Sequence, residues 1–544
     1  MRRSSLLLLL ALGCNTPPAP MNDAGPTPTD DGGADAPASD AGVDAFVSGD
    51  AGSACTPAEC EQATADHLDA ISGDHDTLVA FLTAMPKGGD LHNHLTGAVY
   101  AETYLDWGMA DGDCIQTSNL TAVYGSSCGA STMPIPTSGT FRDQIIAAWS
   151  MQGFVPGAEN GHDHFFATFS KYGAVAGAHR DDDIADVLTR AASENQIYVE
   201  TMFNLGTHVG TLAASVWSGT LTTADLPTFY AMLHGNAGFA SAVAADVAVV
   251  RSAVEGYQTS LGCDDLSPPA GCRVQVRFIA QISRTGANDQ IFGQLVGAYE
   301  MAMAAPDLVA ANLSSPEDDS RSLSNYALHM SMLDFLHGQY TTTGTSPLHI
   351  TLHAGELVPM YLPSGSTDNT FHVRSAVETG HAERIGHGVD ILSETNASDL
   401  MDEMASRNVL VEVCLSSNAQ ILEVSGTAHP LSQYIAHHVP VALSTDDQGV
   451  SRSSLAGEMV RAVEDQHLGY LELKAMARAS LEHSFLPGTS LFSSVDPPTL
   501  VSACAAITPT PTTDCQAVLD ASQRAAAQYE LERRFLLFES STQP

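Results

Sequence analysis

Seven apolar, β-branched runs, and an eighth short run that ends in two histidines, divide this chain at intervals too long for hairpins. They are Gly89 to Leu95, Ile197 to Phe203, Val274 to Ile282, Leu308 to Leu313, Leu348 to Leu352, Arg384 to Val389, Leu410 to Leu415 and Val439 to Ser444. Between them lie segments with the length and composition of crossover helices, such as Ile184 to Glu194, Ile291 to Ala304, Ala327 to Leu336, Ala397 to Arg407 and Pro430 to His437. Short continuous apolar runs suit strands buried on both faces. Their alternation with helices predicts a parallel sheet, and eight of them predict a (β/α)8, TIM-type barrel in the α/β class. Two additions are expected: a stapled loop insertion after the first strand, carrying Cys114, Cys128, Pro134 and Pro136, and a C-terminal helix over Gln516 to Glu539 packed outside the barrel. Further helices are read over Asp76 to Met85, Ala101 to Trp107 and His162 to Ala178.

Chemistry-bearing residues gather where these runs stop. His92 and His94 end the first run at positions i and i+2, which point to the same face of a strand, so both imidazoles can aim at one atom. Alone, His-x-His is a common surface pattern. Three later stretches change its weight: Leu352-His353-Ala354-Gly355-Glu356, Arg384-Ile385-Gly386-His387-Gly388 and Leu443-Ser444-Thr445-Asp446-Asp447. In a barrel of this type the C-terminal strand ends form one cavity mouth, where residues distant in sequence can converge.

Three imidazoles and a carboxylate form a nitrogen–oxygen ligand set suited to zinc above magnesium or calcium. A zinc site with an open position brings the pKa of a bound water towards neutrality. His387 is a candidate to hold and deprotonate that water, Glu356 a candidate general acid, and Asp447 a candidate substrate contact. For Glu356 and Asp447 a salt bridge or a helix cap is the alternative use of a carboxylate. Phe165, Phe166 and Phe169 form an apolar stripe, which reads as core packing or as a pocket lid.

The chain has 544 residues and a formal charge of −41, with lysine only at positions 87, 171 and 474. Such a surface repels polyanions, which argues against nucleic acid and anionic lipid as partners. Residues 1–14 combine Met1-Arg2-Arg3, the apolar run Leu6 to Leu12 and Gly13-Cys14. They resemble a bacterial lipoprotein signal whose Cys14 would be lipidated, although Ala11 stands where such signals usually carry Leu. The run is too short to span a bilayer, so membrane contact is expected only through that anchor. Residues 15–54 are almost free of large apolar side chains and read as a disordered acidic linker; the catalytic domain is expected over 55–544. Eight cysteines fall into local couples, Cys55/Cys60, Cys114/Cys128, Cys263/Cys272 and Cys504/Cys515, as disulfides do in an oxidising compartment. Cys414 is left over in an apolar run and reads as a buried small hydrophobe. Export is expected, either to the outer membrane as a lipoprotein or to the extracellular space.

Met85-Pro86-Lys87, Leu91-His92-x-His94-Leu95-x-Gly97-Ala98, His353-Ala354-Gly355-Glu356, Arg384-Ile385-Gly386-His387-Gly388, Cys414-Leu415-Ser416-Ser417-Asn418 and Ser444-Thr445-Asp446-Asp447 together resemble the adenosine deaminases, in the same order, over roughly Leu82 to Leu486. The secreted growth-factor-like branch is included in that resemblance. It implies one zinc per chain on His92, His94, His353 and Asp446. It also implies that Glu356 protonates purine N1, His387 orients the attacking water and Asp447 contacts N7. Phe165 and Phe169 fall where the family carries lid aromatics. Two positions depart from the pattern. Thr96 stands where adenosine-specific members have an Asp on the ribose, and Ser315 stands where the family has a Gly against purine N3. The expected activity is deamination of adenosine, with deoxyadenosine, to inosine and ammonia. Another 6-aminopurine is the alternative substrate, and a non-catalytic nucleoside-binding surface protein the alternative class.

Overall fold

The computed structural model describes residues 55–542, apart from 126, 343 and 345. The signal segment 1–14 with Cys14, and the linker 15–54, lie outside the described residues. Eight parallel strands run in sequence order: β1 (Gly89–His94), β2 (Tyr198–Asn204), β3 (Gln275–Ser283), β4 (Leu308–Ser314), β5 (His349–Ala354), β6 (Arg384–His387), β7 (Leu410–Val413) and β8 (Val441–Leu443). Each pairs with the next. The ring closes just beyond β8, where the Asp446 amide donates to the His92 carbonyl (2.8 Å) and the His94 amide donates to the Asp446 carbonyl (3.1 Å). All eight predicted runs are barrel strands. They lack an alternating pattern because the helical layer covers their outer face and the barrel core their inner one, so β4 is buried along its whole length.

Charge runs through the lower barrel. Arg384, at the start of β6, donates from Nη2 to Glu200 Oε2 (2.5 Å) and from Nε to Glu412 Oε1 (2.6 Å), and its guanidinium lies 3.8 Å from the centre of the Phe485 ring. Tyr198 and Thr351 hydroxyls complete the set, donating to Glu200 Oε1 and Glu412 Oε1. A buried charge is tolerated when it is paired and hydrogen-bonded, as here.

The mouth is covered by helix Gly161–Ala178, whose first turn is capped by Asn160 Oδ1 accepting from the Asp163 amide (3.0 Å). It packs on the insertion and on helix Leu415–Ile421 around a second apolar cluster that includes Tyr104, Trp149, Phe165 and Tyr172. The insertion differs from the expected loop. It contains a small antiparallel sheet, Cys114–Gln116 between Thr121–Val123 and Thr132–Pro134, tied by Cys114–Cys128. The other three local couples are also disulfides, Cys55–Cys60, Cys263–Cys272 and Cys504–Cys515, and Cys414 is buried and unbridged.

The C-terminal helix is two helices, Thr513–Ala521 and Gln523–Ser541. Ser522 divides them: at φ −144° it leaves the helix, donates its hydroxyl to the Thr489 carbonyl (2.6 Å) and accepts from the Ala525 amide (3.0 Å) as the second helix's cap. The second helix packs on helices Pro57–Ile71 and Tyr470–Glu482. Among the described residues no single helix is long and apolar enough to cross a membrane.

Candidate active site

At the C-terminal end of the barrel, four side-chain atoms from three strand ends converge. His92 Nε2 and His94 Nε2 lie 3.2 and 3.1 Å from His353 Nε2, and Asp446 Oδ1 lies 3.7 and 3.4 Å from the first two. Backbone strain helps to place them. Asp446 (φ 59°) and His387 (φ 68°) occupy the left-handed region, which costs non-glycine residues about 1 kcal/mol or more and persists where the surroundings over-determine it. Close packing explains the glycines of the motifs. A Cβ on Gly386 would sit 2.5 Å from His92 Cε1, and one on Gly97 would sit 1.6 Å from Asp447 Oδ1.

The donor set fits a metal ion. His92 Nδ1 faces Glu412 Oε2 at 2.6 Å and His353 Nδ1 faces Asn312 Oδ1 at 2.6 Å. Each Nδ1–H is spent on that acceptor, which leaves Nε2 of both rings as a bare lone pair. With His92 and His353 neutral, these lone pairs and the Asp446 carboxylate oxygen meet in an arrangement that a bound cation would make favourable. Three imidazole nitrogens and one carboxylate oxygen suit zinc. The partners Glu412 and Asn312 set ring orientation and tautomer, as outer partners of metal-binding histidines commonly do.

A cavity of about 400 Å³ opens above this cluster. Glu356 and His387 stand on one side, with Glu356 Oε1 3.7 Å from His387 Nε2. Glu356 does not follow His353 on a helix: Gly355 (φ 78°) turns the chain, and the Glu317 carboxylate accepts the amides of Gly355 (3.3 Å) and Glu356 (2.9 Å), clamping the turn. Burial, reinforced by the negative charge of Asp446, pushes the Glu356 carboxyl well above the usual carboxylate range, so it stands as an acid. Asp447 is raised in the same way, by burial and then by Asp446, and its Oδ1 has no protein partner. Burial lowers His387 to about 3, holding the ring neutral.

The remaining sequence-predicted residues line the same cavity. Phe165 and Phe169, joined by Phe166, form its apolar wall, and Thr96 and Ser315 its polar rim. Phe165 also belongs to the apolar cluster under the lid helix, so the stripe serves both as core and as pocket wall. Ser315 has φ 84°, the conformation that favours glycine, and its hydroxyl bonds to Ser283 Oγ at 2.8 Å. The sequence reading did not single out Glu412, Asn312 or Glu317. Glu412 was detectable as a carboxylate inside an otherwise apolar strand; Asn312 and Glu317 carry no comparable signal.

A parallel eight-stranded barrel with this histidine–aspartate cluster, a buried acid and an adjacent neutral histidine defines the class of metal-dependent hydrolases. Comparison with known proteins narrows it. The adenosine deaminase family model matches residues 238–495. An adenosine deaminase of Yersinia enterocolitica is 26% identical over 400 residues, 73% of this chain and 93% of the relative. One from Shewanella woodyi is 34% identical over 241 residues, 44% of this chain and 62% of the relative. Among solved structures, adenine deaminase from Arthrobacter aurescens is 17% identical with a TM-score of 0.46, covering 74% of this chain and 94% of that one. The chain is thus similar to the adenosine deaminases, hydrolases acting on a C–N bond: their family model covers just under half of it, and the Yersinia relative aligns over 73% of it.

Proposed function

We propose that this protein is an exported, zinc-dependent adenosine deaminase that converts adenosine, and deoxyadenosine, to inosine and ammonia. The observation that carries the reading is the convergence of His92, His94 and His353 Nε2 with Asp446 Oδ1 beneath a cavity that also holds Glu356 and His387. One zinc per chain on these four ligands would act as a Lewis acid and make water a nucleophile at neutral pH. The chain's own residues account for the rest. His387 holds the attacking water against C6 of the purine. Glu356, kept protonated by its surroundings, donates to ring N1 as the C6–O bond forms. Asp447, also neutral, donates a hydrogen bond to N7. The phenylalanine wall packs the base and excludes bulk water. The C6–N bond then breaks and ammonia leaves; of the water's two protons, one restores Glu356 and the other goes to the departing amino group, so the hydrolysis balances.

Thr96 and Ser315 favour a second substrate reading within the same chemistry. A hydroxyl at position 96 offers the ribose a weaker bond than a carboxylate, and Ser315 adds a side chain at the rim. Adenine or a modified nucleoside would then be the better substrate. Export is supported by four disulfides in the described residues, which persist in oxidising compartments. Lipidation at Cys14 would place the protein on the outer membrane, and release without the lipid would make it extracellular.

The test is the ultraviolet change on mixing zinc-loaded protein with adenosine, deoxyadenosine and adenine in turn. Chelator-sensitive loss of the 6-aminopurine absorbance with adenosine is the expected result. Turnover of adenine alone would replace the substrate, and binding of all three without turnover would replace the enzyme with a nucleoside-binding protein.

A further inference from the structure

The histidines around the cluster are wired in opposite senses. Asn312 Oδ1 accepts the backbone amide of His353 (3.4 Å) as well as facing its ring Nδ1 (2.6 Å). A backbone amide can only donate, so the Asn312 atom is its oxygen and the His353 proton sits on Nδ1. His92 has the same sense, its Nδ1 facing the Glu412 carboxylate. Both rings therefore present a bare Nε2.

His387 is connected the other way. The backbone amide of Leu431 donates to His429 Nδ1 (3.2 Å), which makes that nitrogen an acceptor and puts the proton of neutral His429 on Nε2. His429 Nε2–H then donates to Asn418 Oδ1 (3.1 Å), and the Asn418 amide donates from Nδ2 to His387 Nδ1 (3.0 Å). Turning the Asn418 amide over would set its NH2 against the His429 N–H, whose direction the Leu431 amide fixes. With Nδ1 accepting, neutral His387 carries its proton on Nε2, the atom that has no protein hydrogen-bond partner and points to the cavity beside Glu356. His387, Asn418 and His429 are all at most 1% exposed, so water does not compete for these bonds.

We propose that His429, which does not line the cavity, is a positioning residue for the reaction. Acting through Asn418, it holds His387 as the Nε2–H tautomer, a hydrogen-bond donor to the oxygen of the attacking water, and keeps His387 out of the metal's ligand set. What the donor is aimed at rests on the deaminase reading; the tautomer does not.

The tautomer can be read directly by NMR of isotope-labelled imidazole nitrogens in the zinc-loaded protein, with the His387 signals identified by their loss in His387→Asn. The expected wild-type pattern is a protonated Nε2 and an unprotonated Nδ1. Asn418→Asp, whose carboxylate accepts from both neighbours, should move the His387 proton to Nδ1. A wild-type signal of the opposite tautomer, or one unchanged in Asn418→Asp, would overturn the wiring. His429→Leu should lower kcat by about 10- to 100-fold with little change in KM, and His429→Gln, which restores an N–H donor, should recover much of it. Wild-type kcat in His429→Leu would remove the positioning role. If His429→Leu does not fold, the wild-type and Asn418→Asp spectra still decide the tautomer. An inactive wild type with the expected spectrum would overturn the deaminase reading while supporting the wiring.

Discussion

Glu356 differs from its neighbour His353 in a way that one substitution isolates: it faces the cavity and contributes no atom to the histidine–aspartate cluster. Glu356→Gln keeps the shape and removes the proton. It should retain about one zinc per chain by elemental analysis while kcat falls by roughly 10²- to 10⁴-fold. Wild-type turnover in that variant would take Glu356 out of the chemistry. The residues of the cluster and the acid were visible in the sequence because each stands at the end of an apolar run. Their supports were not. Glu317 reaches the Glu356 turn from the loop after β4, and Asn312 reaches His353 from β4 itself. Such pairings depend on which strands are neighbours, and a polar residue in a linear sequence does not announce its partner. Glu412 was the partial exception, since an acid inside β7 had to be paired to stay buried.

At the scale of elements, helix Leu455–Glu464 shows how a buried carboxyl couples packing to pH. Glu458 accepts the Ser416 amide (3.1 Å), tying this helix to the start of helix Leu415–Ile421, which carries Asn418. Burial raises Glu458 from 4.5 to about 7. Between those values the folded chain keeps the proton and the unfolded chain releases it, so this group's contribution to stability falls as pH rises from about 4.5 towards 7. The contribution is on the order of 3 kcal/mol at most. Denaturant unfolding of Glu458→Gln should therefore depend less on pH across that window than the wild type does; equal slopes would place the titration elsewhere. The eight barrel strands were legible because burial on both faces makes most of them nearly continuous apolar runs. The small sheet of the insertion was not, because its strands are three residues long and partly exposed. The break at Ser522 was hidden for another reason: a serine leaves a helix only if something outside receives its hydroxyl, and here that is Thr489.

The whole molecule carries its acidity on few opposing bases, with 63 Asp and Glu against 22 Lys and Arg. Many of the bases are committed to ion pairs, within a helix as in Arg374–Glu378 and Arg533–Glu530 or between helices as in Arg478–Glu532. The surplus is therefore mostly unpaired acid, whose mutual repulsion opposes folding. Raising sodium chloride from about 10 mM to about 500 mM shortens the screening length several-fold, so the thermal midpoint should rise. A midpoint that stays level or falls would mean that ion pairs, not repulsion, dominate the surface.

The barrel is fastened where it works. Its last hydrogen bonds run between the main chain of Asp446 and that of His92 and His94, whose side chains form three corners of the histidine–aspartate cluster. The first strand and the last, about 350 residues apart in the chain, are thus joined by the same few residues that would take up an ion. An ion bound there works as a clasp on a hoop: it completes the circle as it completes the catalyst, and a ring that sprang open would surrender its metal at that seam.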